Sequence, residues 1–322
     1  MMLMQMQMIQ VVMLMNKRQL IVQKAFVQDE KAVIMELKHE YSKALAEIQN
    51  QIKILSAGDM TQAKIYQIQY QLSLQAQISS ILDNMRSNNY QTVQAYLNGC
   101  YKQGFVGAMY DLQGQGIPLA FPLSQQQIVK AVQLDSKVSG GLYGRMGVNV
   151  NELKKQISSE IARGLSGGLS YERISGNLRW MIQGDYSKAL RIVRTEGHRI
   201  QNQSALDAMH RAVNVGADIV KQWDATLDGV TRDTHRELDG QVVGVDEEFV
   251  IPSTGARAMF AGGFGDPSED CNCRCCILQR AKWNMDDYDA TKMDNESGLL
   301  VEFKERDYSA FKDAYFEAVG SS

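Results

Sequence analysis

Proline is scarce in this sequence and unevenly placed. The chain has 322 residues but only four prolines, at positions 118, 122, 252 and 267. Because proline ends or kinks helices, its absence from the first 117 residues allows long unbroken helices there and excludes a proline-rich linker. A chain of this length is typical of about two domains.

Long apolar runs are also missing. The longest, residues 11–15, has five residues, whereas a membrane-spanning helix needs about 20, so we expect no membrane segment. The first fifteen residues are rich in Met and Gln, but Lys17 and Arg18 follow them, which reverses the order found in a signal peptide. No small-residue cleavage site is visible. We therefore expect a cytoplasmic product whose first fifteen residues fray or pack on a partner.

Charge of one sign does not dominate the sequence. The net charge of −3 argues against a wholly basic nucleic-acid-binding protein. The charges sort by position, however, since residues 101–204 carry 13 basic and 7 acidic side chains, while residues 284–322 carry 4 and 10. A basic middle and an acidic C-terminal part suggest two surfaces with different roles.

Cysteine is rare outside one cluster. Of the five cysteines, Cys100 stands alone on a predicted helix, where we expect it in the core, and the other four lie within residues 271–276. Disulfide frameworks space their cysteines apart, so this clustering in a chain without a signal peptide favours metal binding.

Helical periodicity fills the first two thirds of the chain. In residues 34–55 apolar side chains recur at steps of three and four, and a second stripe is predicted to start with Ile65, Ile68, Leu72 and Ala76. A third helix is predicted from about residue 90. We expect residues 1–115 to form a long helical hairpin or bundle with antiparallel helices.

Residues 116–215 are predicted to be helical and basic, with linkers. On the helix after Asp185, a helical wheel places Lys188, Arg191, Arg194, His198 and Arg199 opposite an apolar side. This stripe could follow a phosphate backbone, or it could be a solvated face paired with nearby acids. Glu196 lies near the apolar edge and should pair with an arginine, because an unpaired buried carboxylate is costly.

The pattern changes to short strands and turns in residues 216–283. Strands are predicted at 219–223, 241–245 and 249–251, with a helical turn at 231–238. The fold class is therefore α+β, a long and mainly helical N-terminal region followed by a small, β-hairpin-rich Cys/His domain. An acidic C-terminal tail, residues 284–322, completes the chain.

A small domain of this size has a thin core that a metal ion would help to stabilise. Cys271, Cys273 and Cys275 alternate in sequence, so in an extended chain their thiols point to one side and that of Cys276 to the other. Zinc prefers four sulfur or nitrogen ligands, which these three cysteines and His235 would supply. The alternative is a set of reduced thiols packed under a hairpin.

The small domain also carries a recognisable order of unlike residues. Residues 223–250, WDATLDGVTRDTHRELDGQVVGVDEEFV, and residues 265–275, GDPSEDCNCRC, resemble the phage Mu F-like head morphogenesis domain, and residues 194–203 resemble the helix that precedes it. The matching positions are Trp223, Asp228, Arg232, His235, Asp239, Gly240, Gln241, Phe249, Asp266, Pro267, Asn272, Cys273, Arg274 and Cys275. Cys271 and Cys276 flank the Cys-Arg-Cys of the family, so a metal set made of cysteines alone stays open.

The resemblance implies a minor capsid protein of a tailed phage or prophage. Its expected location is the capsid interior or portal vertex, after assembly in the host cytoplasm. Its expected partners are the portal protein, capsid or scaffold proteins and double-stranded DNA during packaging or ejection. In this structural hypothesis, Lys188, Arg191, Arg194 and Arg199 meet DNA.

The same hypothesis makes the small domain a rigid unit held by a polar cluster of Asp228, Arg232 and Asp239. Arg232 is expected to pair with Asp228 or Asp239.

Two other hypotheses remain. A metal-dependent nuclease or hydrolase could use Asp228, His235, Asp239 and Glu248 to hold a metal-bound water and a general base. A DNA-binding module would need a continuous basic groove. Besides the four cations already named, that groove would use Arg163, Arg173 and Arg179.

Overall fold

The computed structural model describes residues 15–56, 64–133, 142–166, 169, 171–226, 230–284, 313 and 316–317. These residues form long helices followed by small antiparallel sheets, which confirms the predicted α+β class. None of the described helices has both the length and the apolar character needed to cross a lipid bilayer.

The helical region is made of fewer and longer helices than predicted. In the described ranges it contains α1 (Lys17–Ser56), α2 (Lys64–Gly114), α3 (Gln125–Gln133), α4 (Leu142–Ser166) and α5 (Tyr171–Asn214). The segments predicted as separate helices before and after residue 90 are one helix, α2. The helix predicted after Asp185 is the C-terminal part of the longer helix α5. Neither helix contains proline, so nothing blocks its hydrogen-bond ladder.

The first two helices run antiparallel, as predicted. Asn16, just before α1, donates to Asp111 of α2, while Asn88 of α2 donates to Glu40 of α1. Residues early in one helix therefore meet residues late in the other.

The C-terminal part of α1, the N-terminal part of α2, α4 and the N-terminal part of α5 pack into a four-helix unit, termed here the distal bundle. Its buried residues recur at steps of three and four, with one step of seven on α5, as amphipathic helices require. They are Tyr41, Ala44, Ile48, Ile52, Leu74, Ile78, Leu82, Met85, Val150, Leu153, Ile157, Ile161, Ile174, Leu178, Ile182 and Ala189.

The stripe predicted at the start of α2 is wrong where its side chains are described. Leu72 is 60% exposed and Ala76 is also exposed, while Leu74 and Ile78 are buried. The side chains of Ile65 and Ile68 lie outside the described residues. This part of α2 is rich in Gln, and its isolated apolar residues fit two helical faces, so periodicity alone did not select the buried one.

A small sheet follows the helices. Its elements are β1 (Ile219–Asp224), α6 (Asp233–Leu238), β2 (Val242–Gly244), β3 (Phe249–Val250), β4 (Arg257–Ala258), α7 (Pro267–Asp270) and β5 (Cys276–Ala281), with a 3-10 turn at Lys282–Asn284. The strand order is β2-β1-β5, all antiparallel, and β3 pairs with β4. The strands predicted at 219–223, 241–245 and 249–251 correspond to β1, β2 and β3.

Strand β5 was not predicted, although it is the longer partner of β1. It pairs with β1 along its whole length, from Ile219 opposite Ala281 to Asp224 opposite Cys276. All six of its residues are buried, including Gln279 and Arg280. A strand that buries polar side chains lacks the apolar alternation by which strands are recognised.

The sheet shares one hydrophobic core with the helices rather than standing apart from them. Buried residues of that core come from the N-terminal part of α1, the C-terminal parts of α2 and α5, α3 and the small domain. This part of the molecule is termed here the body. The boundaries between residues 115 and 116, 215 and 216, and 283 and 284 stay predictions.

A buried polar cluster ties the sheet to the helices. The Asp111 carboxylate of α2 accepts hydrogen bonds from the side-chain amides of Gln19 at 2.7 Å, Gln115 at 2.8 Å and Gln279 of β5 at 2.6 Å. Arg280 of β5 donates to Gln19 at 3.0 Å. Because these groups are buried and paired, the cluster fixes how β5 sits on α1 and α2.

Candidate metal centre

Two short segments position the candidate metal ligands. His235 lies on α6, which begins directly after Arg232. Cys273 and Cys275 lie in the loop between α7 and β5, not in a strand. Asn272, just before them, has a φ of 55°, the one non-glycine residue with positive φ among the described residues. Asn tolerates this left-handed conformation, which turns the chain back towards α6.

The structure brings His235, Cys273 and Cys275 together. His235 Nδ1 lies 3.6 Å from the Cys273 sulfur and 3.3 Å from the Cys275 sulfur. All three side chains are buried, and their ligand atoms lie within 4.8 Å of one another. In the described part of the chain, no other group of three or more His, Cys, Asp or Glu side chains is placed to hold a metal ion.

The environment favours a thiolate at Cys275. A hydrogen bond from the Cys273 thiol, with further contributions from His235 and Trp223, holds the pKa of Cys275 below its usual range. The same pairing, together with burial, raises the pKa of Cys273. Zinc binds thiolates, so a bound metal ion would displace the thiol protons of this pair.

A carboxylate lies behind the imidazole. Glu269 Oε2 is 3.1 Å from His235 Nε2, and the Thr234 hydroxyl donates to the same oxygen at 2.9 Å. Metal-binding histidines commonly have a carboxylate at the second ring nitrogen, which fixes the ring orientation. Glu269 was not among the predicted site residues. The Asp266-Pro267 pair, an N-cap followed by proline at the start of α7, was the available signal.

Aromatic rings cover the group. Trp223 of β1 meets the His235 ring edge-on with centroids 5.9 Å apart, and Phe264 stacks on that ring at 6.0 Å. Phe249 packs edge-on against Trp223 at 5.2 Å. A buried site under aromatic side chains excludes water and substrate more readily than it admits them.

The other cysteines lie outside this group. Cys271 was predicted as a ligand, but its thiol is not among the convergent atoms, and its backbone carbonyl accepts a hydrogen bond from Arg232 at 2.6 Å. The Cys276 thiol is directed to Asp224 at 3.8 Å. Cys100 is buried in the helical core, as expected.

The predicted polar cluster is not brought together in the described residues. Asp228 lies outside them. The Asp239 carboxylate accepts from the backbone N–H of Ala225 at 2.9 Å, while Arg232 points to Cys271 instead of Asp239. Glu248 is exposed and does not join His235. Arg232 thus braces the cysteine loop, and Asp239 braces the end of β1.

The basic stripe on α5 is divided by burial. Lys188, Arg191 and Arg194 are exposed, and Arg194 lies 3.6 Å from Glu30 of α1. Arg199 is only 4% exposed, and its Nε lies 2.8 Å from the Glu196 carboxylate. Arg199 is thus the arginine partner that was expected for Glu196. Arg199 must therefore be removed from the predicted DNA-binding set, because its guanidinium also donates to Ala131 in the core.

The predicted groove residues further from the small domain are exposed. Arg163 pairs with Glu160 of its own helix α4, whereas Arg173 and Arg179 lie on the N-terminal part of α5. Within the described residues these cations are spread over two helices and do not form one continuous groove with Arg199.

Comparison with known proteins finds similarity over the part of the chain that holds the candidate metal centre. A family model described as Phage Mu protein F like protein matches residues 155–278, which run from α4 into β5 and include all three candidate ligands. Minor head protein GP7 of Bacillus phage SPP1 is 34% identical over 127 residues, which cover 39% of this chain and 41% of that protein. These matches confirm the phage Mu F-like resemblance over residues 155–278 of the chain.

A second curated protein that is similar to this chain carries a different name. The NAD(+)–arginine ADP-ribosyltransferase EFV of Enterococcus faecalis is 32% identical over 276 residues, which cover 84% of this chain and 55% of that protein. The chain thus spans about half the length of the curated relatives it matches. No solved structure matches the chain significantly.

Proposed function

We propose that this head morphogenesis protein is a structural minor capsid component of a tailed phage or prophage, located at the portal vertex. The observation that carries the proposal is the similarity of residues 155–278 to the Phage Mu protein F like family, to which the minor head protein of phage SPP1 adds support. The core shared by the sheet and the long helices suits a structural role, because it makes the small domain part of one body. Portal, capsid or scaffold proteins are the expected partners of the helical surfaces.

We further propose that zinc is held by His235, Cys273 and Cys275. The donor set supports this choice, since two thiolates and an imidazole suit zinc, and Glu269 stands where an outer carboxylate is expected. Bound zinc would replace the thiol protons of Cys273 and Cys275 and would link α6 to the loop before β5. Cys271, two residues before Cys273, is the proposed source of the fourth ligand if the turn at Asn272 moves.

Catalysis is not part of this proposal. Two of the carboxylates considered for a hydrolase are among the described residues, and neither joins His235. The Asp239 carboxylate accepts a hydrogen bond from the Ala225 N–H, and Glu248 is exposed outside the His235 group. The transferase activity in the name of the Enterococcus relative belongs to a protein of which 55% is matched, so the shared part need not carry it.

DNA contact is proposed for three exposed cations of α5, which are Lys188, Arg191 and Arg194. Lys188 and Arg191 are exposed on the same side of the helix, and between residues 173 and 194 the one carboxylate of α5, Asp185, is buried. Phosphate contacts of this kind attract DNA without sequence preference.

Metal analysis of the purified full chain tests the zinc proposal. We expect about one zinc per chain, with loss of zinc in Cys273→Ser and His235→Ala and retention in Cys100→Ala, a matched change at a buried cysteine outside the group. Reduced Zn content in Cys271→Ser would assign the fourth ligand. A zinc-free preparation whose Cys275 reacts freely with thiol reagents would refute the metal, though not the head role.

Mass spectrometry of purified phage heads tests the structural role. The protein should be present in heads at low copy number relative to the major capsid protein. Its absence from mature and immature heads alike would refute a capsid role.

DNA binding by the free protein should fall steeply with salt and weaken in the double variant Lys188→Ala, Arg191→Ala. The variant Lys155→Ala on α4 serves as the control, and equal weakening there would point to non-specific charge.

A further inference from the structure

A groove between α1 and α5 of the distal bundle is not used by the proposed metal or DNA sites. It has a volume of about 250 Å³. Its floor is formed by the apolar parts of Tyr41, Leu45, Ile182 and Tyr186. The rim residues are Lys38, Ser42, Arg179 and Gln183.

An exposed tryptophan lies beside this groove. Trp180 is 74% exposed, although a free tryptophan on a helix leaves a large apolar surface in water. Gly176 and Gly184 lie one turn before and after it on the same face of α5, and a Cβ at either would meet nothing within 4 Å. The backbone around Trp180 is thus open to close approach by another chain.

Both charged side chains that line the groove are cationic. Lys38 and Arg179 flank the groove, and on α5 between residues 173 and 194 the one carboxylate, Asp185, is buried beneath Tyr41. The acids of the neighbouring turns of α1 point elsewhere, since Glu36 and Glu40 accept hydrogen bonds from α2. An occupant of the groove should therefore carry negative charge.

We propose that this surface, meaning the groove together with Trp180, binds an acidic amphipathic helix of a partner protein. The proposal rests on the head role proposed above, within which it names the chemistry of one partner. Helix-in-groove recognition uses apolar anchors on one helical face, which the partly exposed Leu45 and Tyr186 would receive. Tryptophan and arginine are among the residues enriched where binding energy concentrates, and Trp180 and Arg179 are exposed neighbours on α5.

Peptide binding to the full-length protein tests the surface. The probe is a labelled synthetic helical peptide of about 15 residues with leucine on one face and glutamate on the other. The comparison probes are the same peptide with lysine for glutamate, the same peptide with serine for leucine, and a short DNA duplex. Fluorescence anisotropy reports binding, and Trp180 emission should shift to the blue when the indole is covered.

The acidic amphipathic peptide should bind, and the lysine and serine versions should not. Trp180→Ala and Arg179→Glu should each weaken binding by about tenfold or more. The matched control is Trp283→Ala, which removes another exposed tryptophan, 46% exposed, outside the distal bundle. Both tryptophan variants change exposed side chains, so equal denaturation midpoints will verify folding.

Four results would overturn the proposal. These are no binding of the acidic peptide, equal binding of the lysine version, unchanged binding by Trp180→Ala, and self-association that Trp180→Ala abolishes. DNA binding lost in Arg179→Glu without any peptide binding would assign the surface to nucleic acid instead. If the protein still enters heads and retains zinc while these tests fail, only the docking surface is wrong and the proposed function stands.

Discussion

The body and the distal bundle are built on the same long helices but are held together by different contacts. In the distal bundle, aliphatic side chains such as Leu82, Ile157 and Leu178 fill the interior. In the body, large aromatic residues pack beside buried charged groups such as Asp111 and Lys221. Aliphatic packing depends on volume and tolerates change locally, whereas a buried charge depends on every one of its partners.

The comparison also separates two kinds of surface. The body encloses its candidate metal group under Trp223 and Phe264, which suits a fixed structural unit. The distal bundle leaves Trp180 and a groove exposed, which suits contact with another protein. Substitutions in the two regions test whether the body depends on its buried polar groups and the distal bundle on its aliphatic packing.

The largest effect is expected at the buried cluster of the body. Asp111→Ala would leave amide donors of Gln19, Gln115 and Gln279 without their acceptor, at a loss of about 3–5 kcal/mol in the free energy of unfolding. Burial raises the pKa of Asp111, while the amide donors oppose that rise. Urea denaturation followed by circular dichroism measures the loss.

The control for Asp111 lies in the distal bundle. Asp83 is 45% exposed and lies 2.6 Å from Lys154, so Asp83→Ala should change stability by less than about 1 kcal/mol. Equal effects at positions 83 and 111 would show that the buried cluster does not hold the body together.

Core truncation in the distal bundle comes next. Leu82→Ala should cost about 2–5 kcal/mol because the side chain is fully buried. Leu72→Ala, on the same helix but 60% exposed, should change stability by less than about 0.5 kcal/mol. Thermal or urea denaturation of the pair distinguishes the observed stripe of α2 from the predicted one, and a larger loss at Leu72 would restore the prediction.

A buried lysine gives the body a distinctive pH dependence. Lys221 is fully buried, its Nζ donates to the Met259 carbonyl at 2.9 Å, and burial lowers its pKa from 10.5 to about 8. Below pH 8 the folded protein carries the full cost of a buried charge. Between pH 8 and 10.5 the unfolded chain binds the extra proton, so stability should rise with pH across this window.

Lys221→Met tests this dependence. The variant should be about 1–3 kcal/mol more stable than the wild type at pH 7, and the difference should shrink as the pH approaches 10. Urea denaturation at several pH values provides the measurement. A difference that stays constant with pH would mean that Lys221 does not titrate in the folded protein.

The smallest effect compares one tyrosine–aspartate pair in each region. Tyr41 of the distal bundle donates to the buried Asp185 at 2.7 Å, and Tyr101 of the body donates to the half-buried Asp207 at 2.6 Å. Tyr41→Phe should cost about 1–2 kcal/mol and Tyr101→Phe less, because water can reach Asp207. The reverse order in urea denaturation would contradict the burial argument.

The sequence indicated the helices more reliably than the sheet. The stripe at steps of three and four in residues 34–55 located the buried face of α1, since burial of one helical face leaves a periodic trace. Strand β5 left no such trace, because Gln279 and Arg280 are buried through polar partners on α1 and α2. Those partners are more than 160 residues away in sequence.

The candidate site was indicated by residue type but not in full geometry. Clustered cysteines and the order of residues in the family resemblance pointed to His235, Cys273 and Cys275. The left-handed turn at Asn272, which separates Cys271 from the other thiols, depends on the loop conformation and not on spacing. Glu269 came into reach of His235 only through the placement of α7.

By itself, the sequence determined the long helices, the α+β class and the residue types of the Cys/His group. These features follow from local periodicity and composition, which neighbouring residues encode. The tertiary structure decided that Arg199 is buried with Glu196, that β5 joins the helical core through Asp111, and that Trp180 remains exposed. Burial depends on which distant elements meet, and local sequence does not contain that information.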